Sequence, residues 1–252
     1  MMKDYKLKFY IDFDGTITMS DVWVNSVGKF IKDKEKLKEI EDDFIDLKIT
    51  SRECIKRELD LVEDFSYEQF NKYLDDESID PYFKKFLKWC GENEYPVTIL
   101  SEGLDYYIKY ILDREEINIK FYSNRLIVSD ENRLSCEFPH RDETCNYCGV
   151  SKRNVLVNST NDLDNEISVF IGDGVSDYCV SNYADILFAK KRLASYCWKN
   201  NLTYFEYKDF SDIMKKIDKL KEQRKIKQRQ EAKVKRKKDL PGNKCACGFR
   251  VR

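Results

Sequence analysis

Two acidic side chains that could act together chemically, Asp12 and Asp14, lie directly behind an apolar run at residues 7–11. The run is typical of a buried strand, and Gly15 marks its end. Side chains two positions apart on a strand share a face, so we expect both carboxylates to project together at its C-terminal end. Crowded acids are costly unless they bind a cation or serve as nucleophile and proton donor. Because Asp-x-Asp also occurs in turns and helix caps, the pair indicates a site without defining it.

A second acidic group, Asp173 and Asp177, follows the apolar run at residues 167–171. Gly172 and Gly174 allow a tight turn from strand to helix. Carboxylates, backbone carbonyls and water form the oxygen-only shell that suits Mg²⁺, so a metal site is one interpretation. The alternative is that Asp173 or Asp177 only caps the helix that follows.

A hydroxyl and an ammonium complete the set of candidate site residues. Ser101 follows the apolar run at residues 97–100, where a hydroxyl and backbone N–H groups at a helix start would hold a phosphate. Lys152 opens the helical stretch 151–157 and could bind a phosphoryl oxygen while balancing the acids. Taken singly, Ser101 could be a helix cap and Lys152 an ordinary surface lysine.

These residues need a sheet to bring them together, and the sequence predicts one. Apolar runs that end in polar or glycine-rich loops alternate with helical patterns, as expected for buried parallel strands. We predict strands at residues 6–12, 96–100, 167–171, 184–188 and 203–207, with a hairpin at 121–138. Open parallel sheets bind ligands at the carboxyl ends of their strands, so the candidate residues should converge on one crevice.

A long helical stretch separates the first two predicted strands. About 70 residues are too many for a simple crossover, so the stretch is predicted to be an inserted cap. The predicted fold is therefore an α/β protein, a Rossmann-like parallel sheet with an inserted helical cap. Its expected domains are a catalytic core (1–18 and 92–210), a helical cap (19–91) and a basic C-terminal tail (211–252).

The four motifs, in this order, resemble those of the haloacid dehalogenase superfamily of phosphatases, and the helical insert is similar to the cap of its phosphoserine phosphatase-like branch. The resemblance implies that Asp12 is the nucleophile and Asp14 the acid/base group. It also implies that Ser101 and Lys152 bind the phosphoryl group. Mg²⁺ would be held by Asp12, the backbone carbonyl of Asp14, and Asp173, with support from Asp177.

The likeness is greatest to the methionine-salvage branch, whose substrate is 2-hydroxy-3-keto-5-methylthiopentenyl-1-phosphate. It lies in the segments 12–21, 144–148 and 184–190. The expected substrate is therefore a small phosphorylated metabolite, with this compound, phosphoserine and phosphocholine-like compounds as open alternatives. A non-catalytic binding protein is the competing class of function. In the cap, the candidates for contact with the leaving group are Trp23, Arg52, Lys56 and Arg57.

Nine cysteines are many for one chain, and their odd number argues against a disulfide framework. Cys145 and Cys148 have half the spacing of a zinc site, and Cys245 and Cys247 could supply two more thiolates. His140 and Cys136 are nearby alternatives. A structural loop with reduced thiols and redox regulation are the other interpretations.

The net charge of −1 conceals a basic C-terminal part, with 13 basic and 3 acidic residues between positions 215 and 238. We expect a solvated, partly helical extension, because the stretch lacks the interleaved aromatics of a nucleic-acid surface. An RNA-binding tail is the alternative. No apolar run approaches the about 20 residues that cross a bilayer, and residues 3–6 do not resemble a signal sequence, so we expect a cytoplasmic protein without membrane contact. The sequence does not indicate an oligomeric state.

Overall fold

The computed structural model describes residues 5–238. Its strands and helices alternate along most of the chain. In order they are β1 Lys6–Ile11, α1 Val22–Asn25, α2 Lys34–Ile45, α3 Ser51–Leu59, α4 Tyr67–Asp75, α5 Phe83–Glu92, β2 Val97–Leu104, α6 Asp105–Arg114, β3 Phe121–Val128, β4 Leu134–Glu137, α7 Lys152–Ser159, β5 Glu166–Gly172, α8 Tyr178–Ser181, β6 Ile186–Ala189, α9 Lys191–Lys199, β7 Phe205–Glu206, α10 Phe210–Glu222 and α11 Gln230–Lys238.

The strands form one seven-stranded sheet in the order β4-β3-β2-β1-β5-β6-β7. Strand β1 pairs in parallel with both β2 and β5, and β6 and β7 continue the parallel part. Strands β3 and β4 form the predicted hairpin and pair antiparallel. Parallel strands covered by helices are buried on both faces, which explains why their sequences are continuous apolar runs. The predicted α/β Rossmann-like sheet is confirmed.

The chain divides into two compact units. Their boundaries lie at other positions than the domain boundaries expected from the sequence. Within the described residues, the first unit comprises 5–12, 80–99 and 152–238, and the second comprises 13–79 and 100–151. The expected domain boundaries at residues 18, 91 and 210 remain a prediction.

The first unit contains β1, β5, β6, β7 and the beginning of β2. Phe9 and Ile171, on neighbouring strands, are fully buried. Helices α5 and α10 pack together through aromatic rings, with Phe210 4.9 Å from the ring centroids of both Phe83 and Phe86. Each buried aromatic side chain removes a large apolar area from water, so this contact fixes α10 firmly.

The C-terminal helices correct the expectation of a solvated extension. Residues 210–222 and 230–238 are helical as predicted, but Ile213 and Ile217 of α10 are buried, and so is Arg236 of α11. Within the described part, the extension is therefore a packed component of the first unit.

The second unit contains helices α1–α4 and α6 with the hairpin β3-β4. Its core includes an aromatic cluster in which Phe70 stacks on Tyr106 at 5.6 Å and meets Phe30 and Phe65 edge-on. Thus α4 of the predicted helical stretch shares its aromatic core with α6, whereas α5, which the stretch also contains, belongs to the first unit. No helix within residues 5–238 has the length and apolar character needed to cross a membrane.

Candidate active site

Three aspartates come together in the first unit, at the ends of β1 and β5. Asp12 follows β1 directly, and its backbone N–H donates to the carbonyl of Ile171 on β5 at 2.9 Å. One carboxylate oxygen from each of Asp12, Asp173 and Asp177 lies within 4.8 Å of the others. All three residues are buried. The parallel pairing of β1 with β5 thus brings together two motifs that are more than 150 residues apart in the chain.

Lys152, the first residue of α7, lies among these acids. Its ammonium contacts Asp12 Oδ1 and Asp177 Oδ1, each at 2.6 Å, and donates to Ser176 Oγ at 3.0 Å. The lysine is 2% exposed, so both ion pairs are shielded from water. The surface-lysine interpretation of the sequence is therefore wrong. With Lys152 in place, one oxygen of Asp12 has a fixed position.

Both carboxylate oxygens of Asp177 accept hydrogen bonds. Its Oδ2 accepts from the backbone N–H groups of Asp173 and Gly174 at 3.0 and 3.1 Å, while Oδ1 faces Lys152. A Cβ atom on Gly172 would lie 2.3 Å from Asp177 Oδ2, so only glycine leaves room for this carboxylate. Asp177 therefore caps this turn, as one interpretation of the sequence held, and its part in a metal site remains a prediction.

The charges in this cluster do not balance. Burial raises the pKa of Asp12 well above its usual value, Asp177 adds to the rise, and Lys152 opposes it. Burial also raises the pKa of Asp177, again against Lys152. Burial disfavours the lysine's own charge, but Asp12 and Asp177 outweigh it and keep the pKa of Lys152 above its usual value. Three carboxylates face the buried ammonium of Lys152 and the half-exposed one of Lys191, so negative charge remains. A divalent cation such as Mg²⁺ therefore fits this donor set in charge and in ligand type.

A second lysine, which the sequence did not single out, touches the same cluster. Lys191 Nζ lies 2.9 Å from Asp173 Oδ2, and the lysine side chain is 55% exposed. Its contact with the site is therefore largely screened by water, unlike that of Lys152. The signal in the sequence was its place two residues after the apolar strand β6.

Asp14 and Ser101 meet in the second unit. Ser101 Oγ donates to Asp14 Oδ2 at 3.2 Å, and the hydroxyl of Tyr107 donates to the same oxygen at 2.8 Å. Ser101 lies within β2 rather than after it, because β2 continues to Leu104 beside β3. The backbone N–H of Gly103 donates to Ser101 Oγ at 2.9 Å. Tyr107 is fully buried in α6 and was not among the sequence candidates.

Glu102, next to Ser101, is a third side chain that sequence reasoning missed, after Lys191 and Tyr107. Its carboxylate accepts from Ser51 Oγ at 2.8 Å and from the backbone N–H groups of Gly149 and Val150 at 2.9 and 3.2 Å. It therefore ties the strand that carries Ser101 to the start of α3 and to the segment just before Lys152. No local pattern marks such a residue, since its partners are 47 to 51 residues away.

Arg52, a cap candidate from the sequence, contacts three backbone carbonyls of the second unit. Its Nε and Nη2 donate to the carbonyls of Cys148, Asp142 and Cys145 at 2.7, 3.2 and 2.8 Å. The guanidinium thus holds the cysteine-containing loop. Most of the N–H donors of Arg52 are used in these hydrogen bonds. Contact of Arg52 with a leaving group remains a prediction.

The other cap candidates contact protein groups of the second unit. Trp23 Nε1 donates to Glu58, Arg57 pairs with Glu53, and Lys56 lies over the ring of Phe138 at 5.6 Å.

Two of the four cysteines in the zinc hypothesis lie within the described residues. Cys145 and Cys148 are partly exposed, and Cys245 and Cys247 lie outside the described residues. Between residues 5 and 238, the one group of three or more potential metal ligands is the aspartate trio.

Comparison with known families supplies the decisive observation. Residues 9–181 match the family of haloacid dehalogenase-like hydrolases. The chain belongs to this family. The enzyme class predicted from the motifs, a phosphatase of the haloacid dehalogenase type, is confirmed.

Individual relatives in this family cover most of the chain. A 2-hydroxy-3-keto-5-methylthiopentenyl-1-phosphate phosphatase from Bacillus pumilus is 31% identical over 219 residues, which are 84% of this chain and 90% of that protein. Pdp3-interacting factor 1 from Schizosaccharomyces pombe is 29% identical over 230 residues, 87% of this chain and 98% of that protein.

Solved structures support the same fold. A phosphoserine phosphatase, as an analogue of its phospho-aspartyl intermediate, superposes with a TM-score of 0.64 and 19% identity, covering 84% of this chain and 99% of that one. At this identity the likeness establishes the fold alone, and it agrees with the sheet described above.

Proposed function

We propose that this member of the haloacid dehalogenase-like family is a Mg²⁺-dependent phosphomonoesterase that works through an aspartyl-phosphate on Asp12. The observation that carries the proposal is the buried cluster in which Lys152 lies 2.6 Å from both Asp12 and Asp177, with Asp173 beside them. Phosphoryl transfer requires mainly a positioned nucleophile and neutralisation of charge, and these residues could provide both.

Asp12 and Asp14 have complementary roles in the proposed reaction. A carboxylate oxygen of Asp12 forms a bond to phosphorus while the bond to the leaving oxygen breaks, and Asp14 gives that oxygen its proton. In the second half, Asp14 takes a proton from water, whose oxygen displaces Asp12 and releases phosphate. Lys152 holds one oxygen of Asp12 and neutralises charge on the transferred group.

The cation would be held by Asp12, Asp173 and the backbone carbonyl of Asp14, with Asp177 orienting the turn that carries Asp173. When bound, Mg²⁺ supplies positive charge that reduces repulsion between the nucleophile and the phosphoryl oxygens. Ser101 would donate to one of those oxygens.

For the substrate, we propose a small phosphorylated metabolite, and the first candidate is 2-hydroxy-3-keto-5-methylthiopentenyl-1-phosphate. The support is the name of the Bacillus pumilus relative, which is 31% identical over most of both chains. Phosphoserine and phosphocholine are the competing candidates.

A substrate panel measured with and without Mg²⁺ tests this proposal. We expect kcat/KM for the methylthiopentenyl phosphate to exceed that for phosphoserine and phosphocholine by about tenfold or more, because differences in pocket contacts of a few kcal/mol give ratios of this size. Chelation of the metal should reduce turnover of every substrate, including p-nitrophenyl phosphate. A higher kcat/KM for phosphoserine or phosphocholine would reject the substrate, and full activity in chelator would reject the metal dependence.

A further inference from the structure

The hydroxyl of Tyr107 is buried against the carboxylate of Asp14. It donates to Asp14 Oδ2 at 2.8 Å, and the tyrosine has no exposed surface. Its ring packs against Phe13, the residue between the two motif aspartates, with centroids 6.3 Å apart. All three residues belong to the second unit. A buried hydrogen bond from a neutral donor to a carboxylate is strong and directional, so it fixes the rotation of the carboxylate.

Gly103 makes this contact possible. A Cβ atom at position 103 would lie 1.7 Å from the hydroxyl oxygen of Tyr107 and 2.8 Å from Asp14 Oδ2. Any other residue would therefore push the hydroxyl away from the carboxylate. Gly103 in β2 therefore leaves the space in which the hydroxyl of Tyr107, in the first turn of α6, reaches Asp14.

Ser101 donates to the same oxygen, but its proton has a second use. A serine hydroxyl has one proton to donate. Its oxygen separately accepts a hydrogen bond from the backbone N–H of Gly103. If Ser101 turns its proton to a phosphoryl oxygen, as the proposed function requires, it no longer donates to Asp14. Tyr107 is then the hydroxyl that stays on Asp14 throughout the reaction.

We propose that Tyr107 is a positioning residue for proton transfer by Asp14. The inference rests on the proposed function, because it assumes that Asp14 is the acid/base group. Since Tyr107 donates to Oδ2, the proton given to the leaving oxygen is carried by Oδ1. As the P–O bond to the leaving group breaks, its electron pair goes to the leaving oxygen and the proton passes from Oδ1 to that atom. A carboxylate that rotates freely would deliver this proton less often.

The test compares two aryl phosphates of similar shape whose leaving groups differ in stability. p-Nitrophenol leaves readily as an anion, whereas phenol depends more on protonation as it leaves. Tyr107→Phe removes only the hydroxyl. We expect it to reduce kcat/KM for phenyl phosphate about tenfold more than kcat/KM for p-nitrophenyl phosphate, because general acid catalysis contributes about 100-fold or more when it is needed. The comparison uses kcat/KM because hydrolysis of the aspartyl-phosphate, in which Asp14 also acts, is common to both substrates and enters kcat. The ratio of the two rates does not depend on how much of the preparation is folded.

Tyr106→Phe is the matched control. The neighbouring Tyr106 also lies in the first turn of α6, and its hydroxyl donates to Asn71 Oδ1 at 2.8 Å. The Tyr106→Phe variant therefore loses a comparable hydrogen bond, but one that does not involve Asp14. It should leave the ratio of the two rates unchanged. An equal loss of kcat/KM on both substrates in Tyr107→Phe would overturn the inference.

Asp14→Asn separates this inference from the function on which it rests. We expect Asp14→Asn to reduce the phenyl phosphate rate more strongly than Tyr107→Phe, which would support both. If Asp14→Asn keeps the wild-type rates on both substrates, the proposed function fails and the inference fails with it.

Discussion

At the residue scale, the two lysines that touch the aspartate cluster differ in their surroundings. Lys152 is buried and contacts two carboxylates, whereas Lys191 is about half exposed and contacts one. Burial decides how much each contact contributes, because water screens the exposed pair and leaves the buried one at nearly full strength.

Removing the buried lysine should therefore cost far more stability than removing the exposed one. For Lys152→Ala we expect the free energy of unfolding in chelator to fall by about 3–5 kcal/mol, since Asp12 and Asp177 lose their counter-ion in a buried site. For Lys191→Ala, the matched control, the expected loss is about 1 kcal/mol or less. Urea unfolding measures both. Equal losses would show that burial is not the deciding factor.

At the element scale, helix α3 connects several parts of the second unit. Its first residues, Ser51 and Arg52, hold Glu102 and the cysteine-containing loop. Farther along, Glu58 accepts from Trp23 of α1 and from Cys54 Sγ. Glu58 is 4% exposed and has only neutral donors, so its charged form is poorly compensated.

This carboxyl should make stability depend on pH. Burial is the main cause that raises the pKa of Glu58 from 4.5 to about 7, against the hydrogen bonds from Cys54 and Trp23. Between these values the folded protein keeps a proton that the unfolded chain has released, so the free energy of unfolding decreases as pH rises. We expect Glu58→Gln to remove about 1–3 kcal/mol of this decrease between pH 5 and pH 8.

Chemical unfolding at several pH values checks the prediction, with Glu53→Gln as control. Glu53 is an exposed carboxylate on the same helix. The control should keep the wild-type slope of stability against pH. A Glu58→Gln profile parallel to that of the wild type would contradict the raised pKa.

At the scale of the whole molecule, the C-terminal helix is tied to the core of the first unit by Arg236. Its guanidinium donates to the carbonyl of Tyr183 at 2.6 Å, to Asp162 Oδ1 at 2.6 Å and to Asp185 Oδ1 at 3.0 Å. Asp185 also accepts from the backbone N–H and the hydroxyl of Ser168, in the middle of β5. The network therefore reaches the strand that ends at the aspartate cluster.

Loss of this arginine should destabilise the protein strongly. For Arg236→Ala we expect a decrease of about 3–5 kcal/mol in the free energy of unfolding, because the side chain of Asp185 is fully buried and would lose its counter-ion. Lys237→Ala, which changes an exposed neighbour on the same helix, should change it by less than about 0.5 kcal/mol. Denaturant unfolding of the full chain measures both. A small effect of Arg236→Ala would mean that α11 adds little to the fold.

The sequence predicted the strand ends better than the contacts between distant side chains. Asp12 and Asp173 could be placed because apolar runs define where buried strands stop. Tyr107, Glu102 and Arg236 could not, because their partners lie from 47 to 93 residues away and are set by tertiary packing. An arginine in a basic stretch looks like a solvated residue until the fold shows two acids beside it.

The central claim is that Asp12 becomes phosphorylated during turnover. Its most direct test is to mix the enzyme with p-nitrophenyl phosphate and Mg²⁺, quench with acid within one turnover, and locate the phosphoryl group by peptide mass spectrometry. We predict a phosphoryl group on Asp12, absent in Asp12→Asn, which should also lose about 1,000-fold or more in kcat. A phosphoryl group on another residue, or undiminished turnover by Asp12→Asn, would contradict the account.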